Sequence, residues 1–112
     1  MKVKETDISR GIKEYLTALG LIVERNNVGK IQTVRKSWMV LHREGFPDLS
    51  VYMPGSRTVF IEVKIPGKTP LPEQLVIHTQ LRELGFEVLV VQSVQEVVDW
   101  LETTTEPGGL GV

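Results

Sequence analysis

Apolar residues along this chain follow two periods, and the switches between them divide it into elements. Ile8, Ile12, Tyr15, Leu16 and Leu19 share one side of a helix predicted over residues 5–19, and Gly20 is suited to stop it. Residues 21–26 read as a strand, followed by a loop at 27–30. Ile31–Val34 and Trp38–Leu41 form a second, short hairpin with Arg35 and Lys36 at its turn. The central feature is another hairpin, Pro47–Met53 and Thr58–Lys64 joined by the turn-forming stretch Pro54–Arg57. A Pro- and Gly-rich loop at 65–70 leads to Pro72, which is well placed to open a helix with Leu75, Ile77, Leu81 and Leu84 inward and Gly85 at its end. Glu87–Gln92 is a mostly apolar run that fits a buried sheet position, and Ser93-x-x-Glu96 is a capping box opening a last helix on Val94, Val97, Val98 and Leu101.

The strand–helix–strand from 58 to 92 predicts a parallel pair with a right-handed crossover. The fold class is therefore α/β, with a mixed β-sheet flanked by helices. Residues 1–102 are expected to form one domain, and 103–112 a flexible tail. There is no internal repeat, and the tail glycines follow no strand and open no helix, so they are not a phosphate loop.

With 41% hydrophobic and 24% charged residues, the 112-residue chain has the composition of an ordinary globular domain. It has no cysteine, which excludes disulfides and thiolate metal sites and fits a reducing cytoplasm. No apolar run is long enough to span a bilayer, and the first residues lack the apolar stretch of a signal peptide. The net charge of −1 hides an asymmetry: residues 1–45 carry nine Lys/Arg against five Asp/Glu, and residues 69–112 one against seven. A phosphate-binding surface therefore has to come from the N-terminal part and the central hairpin.

The central hairpin carries the candidate chemistry. It can bring Asp48, near the start of one strand, beside Glu62 and Lys64 at the end of the other, with Ile61 and Val63 on the opposite face. Two carboxylates suit a hard divalent cation such as Mg2+, and the Val63 carbonyl could add a third oxygen. Lys64 could hold or deprotonate an attacking water, or steady charge on a scissile phosphate. Gln74 opens the helix after the Lys64 loop and could hold a water or phosphate near the metal. Glu5 could bring a further acidic group. Arg25, Asn26, Lys30, Arg35, Lys36 and Arg43 are candidate phosphate contacts. Each has an ordinary alternative: Pro-Asp caps turns, Glu-x-Lys is a common strand ion pair, Glu5 suits a helix N-terminus and Gln74 an exposed helix position. Trp38, among apolar neighbours, is expected in the core, His42 on the polar surface, and His78 in a structural role.

The order of these residues carries a resemblance. Lys4-Glu5, Arg25-Asn26-Asn27-Val28-Gly29, Gly45-Phe46-Pro47-Asp48-Leu49, Glu62-Val63-Lys64 and Gln74 resemble the VRR-NUC family of the PD-(D/E)xK nucleases, in its stand-alone phage and bacterial form, over roughly residues 4–101. The resemblance implies a restriction-endonuclease-like core and Mg2+- or Mn2+-dependent hydrolysis of DNA. It implies metal ligands at Asp48, Glu62 and the Val63 carbonyl, a catalytic Lys64, and supporting Glu5 and Gln74. It further implies a homodimer acting on branched DNA such as Holliday junctions, in a bacterial or phage-infected cytoplasm. A dimer also follows from symmetry, since one metal site cuts one strand and a C2 pair cuts two. Two other readings stay open: a nucleic-acid-binding module of nuclease fold that needs a partner protein for activity, and an interaction domain in which Asp48, Glu62 and Lys64 form only ion pairs.

Overall fold

A computed structural model describes residues 3–26, 30–32, 34–35, 38–40 and 43–104. Its elements, in chain order, are α1 (Glu5–Ala18), β1 (Ile22–Arg25), β2 (Lys30–Gln32), β3 (Trp38–Val40), β4 (Leu49–Met53), β5 (Arg57–Val63), α2 (Pro72–Glu83), β6 (Glu87–Val91) and α3 (Val94–Thr104). One sheet has the order β1-β4-β5-β6, antiparallel except for the parallel pair β5/β6, which α2 connects. This is the expected mixed sheet flanked by helices. The antiparallel pair β2/β3 forms a separate two-stranded sheet.

Alternation along the strands gives the sheet two different faces. Leu21, Val23, Leu49, Val51, Met53, Val59, Ile61, Val63 and Val91 join Ile8, Ile12 and Leu16 of α1 and Val97 and Leu101 of α3 in one apolar core. Full burial of each such side chain contributes on the order of 1.5–3 kcal/mol. The other face meets α2 and holds Phe46, Phe60 and Phe86 in edge-to-face contact, with ring centroids 5.4 Å apart in both pairs. At the end remote from Asp48, Arg57 pairs with Glu87 at 2.6 Å and lies over the Trp100 ring, tying β5 to β6 and α3.

Gly45 sets how closely α2 approaches the strand entry. Its φ is +89°, and a Cβ there would lie 2.5 Å from the Glu73 carbonyl oxygen. Only glycine meets both demands, the left-handed backbone and the space.

The structure departs from the sequence reading in four places. Trp38 is 68% exposed rather than in the core, because β2/β3 lies outside the four-stranded sheet. On α2, Leu75 and Leu84 point outward, at 49% and 75% exposure. The inward stripe is Gln74, Ile77, His78 and Leu81, so the helix is oriented by its polar residues as well as its apolar ones. β6 is an edge strand, with Val90 exposed, rather than a fully buried one. α3 continues through Thr104, into the start of the expected tail; residues 105–112 lie outside the described residues.

Candidate active site

The site lies where β4 begins and β5 ends. Stepping one residue beyond the Leu49↔Ile61 pair sets Asp48 across from Glu62. Asp48 is half-buried, and its Oδ2 accepts the Val63 N–H at 2.6 Å. Asn26 supports this turn from β1. Its N–H donates to the Asp48 carbonyl at 2.8 Å, and its side-chain amide donates to the Pro47 carbonyl and to Ser50 Oγ. Asn26 is buried and its amide is engaged, so it is a brace for Pro47-Asp48 and not the phosphate contact its sequence position suggested.

Glu62 is 1% exposed, and α2 holds both of its oxygens. His78 Nε2 lies 3.2 Å from Oε1, and Gln74 Nε2 donates to Oε2 at 3.3 Å. Gln74 is itself fixed, because its Oε1 accepts the Leu71 N–H at 2.8 Å as the helix begins. Burial, then the charge and hydrogen bonding of Asp48, push the Glu62 carboxyl up to about 9, while Lys64 opposes the shift. Glu5, the first residue of α1, adds to it by its charge, so α1 does bring a further acidic group within electrostatic range.

His78 is fully buried, and burial, with Arg82 and Lys64 nearby, holds its imidazole below the usual histidine range. Both shifts disfavour charge on this pair, so the His78–Glu62 contact has hydrogen-bond rather than ion-pair character. Nδ1 has no partner among the described residues, which leaves Nε2 as the ring's polar contact. Lys64 is also buried, and its N–H extends the β5/β6 pairing to the Val91 carbonyl at 2.9 Å. Among the described residues, no ion pair within 4.0 Å joins Lys64 to Asp48 or Glu62.

The structure thus brings Asp48, Glu62, Val63, Lys64 and Gln74 together, with Glu5 at the border. The candidate phosphate contacts are spread more widely. Arg25 is exposed at the end of β1, Arg35 is exposed at the β2/β3 turn, and Arg43 donates to Gln80 Oε1 of α2 at 2.8 Å. Lys36 and His42 lie outside the described residues, as does the Lys30 side chain.

The fold matches a solved structure described as a VRR_NUC domain, with a TM-score of 0.68 and 31% identity, covering 92% of this chain and 99% of that one. A protein of Acyrthosiphon pisum secondary endosymbiont phage 1, named "Putative nuclease p44", is 37% identical over 68 residues, spanning 61% of this chain and 73% of that protein. The chain belongs to the VRR-NUC nuclease family. No protein-family model matches it.

In this VRR-NUC nuclease, His78 is the site neighbour that sequence reasoning left in a purely structural role. A signal was present: His78 stands four residues after Gln74, so the two share a helix face. Once Gln74 is assigned to the site, His78 follows. No helix is long and apolar enough to cross a membrane among the described residues.

Proposed function

We propose that this VRR-NUC nuclease is a divalent-metal-dependent endonuclease that hydrolyses DNA phosphodiester bonds, acting as a homodimer on branched DNA such as four-way junctions. One observation carries the reading: Asp48 and the buried Glu62 meet at one end of the sheet, with Lys64 beside them and α2 holding Glu62 from behind. A carboxylate, Asp48, that hinders the ionisation of the buried Glu62 is an arrangement that a cation relieves.

The donor set fits Mg2+ or Mn2+. Asp48, Glu62 and the Val63 carbonyl supply hard oxygens, and among the described residues no group of three or more His, Cys, Asp or Glu converges. Mg2+ characteristically takes one or two carboxylates and completes its shell with water and substrate phosphate. Such an ion supplies Lewis-acid stabilisation and an activated water. The chain's own groups do the rest. Gln74 and His78 fix the two Glu62 oxygens, Asp48 is fixed by the Val63 N–H, and Lys64 orients or deprotonates the water or steadies charge on the phosphate. Arg25, Lys30, Arg35, Lys36 and Arg43 serve the DNA backbone, Arg43 by exchanging Gln80 for a phosphate. The exposed Leu75, Val76 and Leu84 of α2 offer apolar surface to a second copy.

The test is cleavage of a labelled four-way junction, a fork, a linear duplex and a single strand, each with Mg2+, Mn2+ and EDTA, by wild type and Asp48→Asn. Paired symmetric nicks in the junction, abolished by EDTA and by Asp48→Asn, are expected. Equal cutting of all substrates removes the branch preference, and cutting that survives Asp48→Asn removes the site assignment. Tight junction binding without turnover under any metal would favour the partner-dependent binding module.

A further inference from the structure

Beside the carboxylate site, between α1 and the end of β1, lies a cleft of about 190 Å³ lined by Thr6, Ser9, Arg10, Lys13, Arg25 and Leu49. Three of its six lining residues are cationic. Arg10 has one exposed carboxylate partner, Asp7 at 3.0 Å, a weak pairing in water. Lys13 and Arg25 are exposed and pair with no carboxylate among the described residues. Two like charges facing one cleft without a counterion repel each other, and an anion between them reverses the sign of that energy.

Ser9 gives a second, independent sign. It is 6% exposed, it lines the cleft, and no hydrogen bond engages its hydroxyl among the described residues. Among the described residues the wholly buried side-chain polar atom without a partner is His78 Nδ1, so the unbonded Ser9 hydroxyl is open to the cleft and can meet a ligand there. The location is tied to the carboxylate site by the backbone. Arg25 stands opposite Leu49 in the β1/β4 register, the residue after Arg25 donates its N–H to the Asp48 carbonyl, and α1 begins at Glu5.

We infer that this cleft is a phosphate subsite, in which Lys13, Arg25 and the Ser9 hydroxyl hold a backbone phosphate of the DNA strand next to the one being cut. This rests on the nuclease reading and deepens it. Arg10 assists when Asp7 releases it. The subsite positions the strand and touches no reacting atom, so it governs binding rather than the chemical step.

The experiment measures Kd for a labelled four-way junction in Ca2+ over a range of salt, for wild type, Lys13→Ala/Arg25→Ala and Lys13→Arg/Arg25→Lys. Steady-state cleavage in Mg2+ and thermal unfolding are measured on the same proteins. The expected result is a slope of log Kd against log salt that falls by about one in the alanine variant. KM should rise with kcat and melting temperature held, and the conservative variant should keep the wild-type slope. An alanine variant with unchanged slope and KM, beside a wild type that binds and cuts, overturns the subsite alone. A wild type that neither binds nor cuts any DNA overturns the nuclease reading and the subsite with it. Inorganic phosphate that competes at millimolar concentration in wild type, but not in the alanine variant, would add direct support.

Discussion

On the α1 and α3 side of the sheet, β5 contributes Val59, Ile61 and Val63 to an apolar core. On the α2 side the same strand contributes Phe60 and Glu62, and Lys64 follows just past its end, against Gln74 and His78. Strand geometry guarantees two faces, but it does not say what each is for. The first face stabilises: burying apolar area is favourable wherever it occurs. The second buries a carboxyl, an amine and an imidazole, which costs stability unless each is neutralised or hydrogen-bonded. A chain tolerates such a face where function requires it, and local rules of folding are broken at sites more than elsewhere.

That contrast predicts opposite signatures for mutations on the two sides of the sheet. The largest effect belongs to the polar face. Lys64→Ala and Asp48→Asn should lower the cleavage rate by about 10²–10⁴-fold, the range of a lost acid–base or charge-stabilising group, with melting temperature near wild type. A loss of fold of the same size as the loss of activity would break the contrast. Next comes the apolar face. Ile12→Ala, at a fully buried position, should cost about 2–5 kcal/mol in urea unfolding while the surviving folded protein cuts normally.

Gly45→Ala joins the two signatures. The forced left-handed backbone and the contact with the Glu73 carbonyl should cost roughly 1–3 kcal/mol. Because α2 carries Gln74 and His78, activity should fall with it. The gentlest probe is pH. Glu62 binds its proton more tightly folded than unfolded, so its contribution to metal-free stability is full below about 4.5 and is lost as pH rises through about 9. His78 has the opposite sign: its imidazole is harder to protonate when folded, so stability is lost as pH falls below about 6.5. Glu62→Gln should remove the alkaline loss and leave the acid one, as followed by melting temperature against pH.

Much of this was legible in the sequence, and the reasons are local. α1 is marked by apolar residues at helical spacing and a glycine stop, and the β4–β5 hairpin by Pro54-Gly55 between two apolar runs. The parallel β6 follows from the length of the intervening helix. The convergence of Asp48, Glu62 and Lys64 followed from hairpin geometry alone. Three features did not show. The inward stripe of α2 contains Gln74 and His78, which an apolar periodicity counts as surface. Trp38 reads as core because its neighbours are apolar, yet β2/β3 stands apart from the main sheet. Asn26 looks like a surface contact beside Arg25, and only the fold brings Pro47 and Ser50 to it. In each case the deciding interaction is between residues far apart in sequence.

The most direct test of the polar face as a metal site is thermal unfolding with and without Mn2+, at several pH values, for wild type and Asp48→Asn. A ligand that binds only the folded state raises the melting temperature, and an ion that must displace the Glu62 proton binds more tightly as pH rises. For a metal site at Asp48 and Glu62, the Mn2+-induced rise is expected in wild type, growing from pH 6 toward pH 9, and absent in Asp48→Asn. No rise at any pH, or the same rise in both proteins, would contradict it.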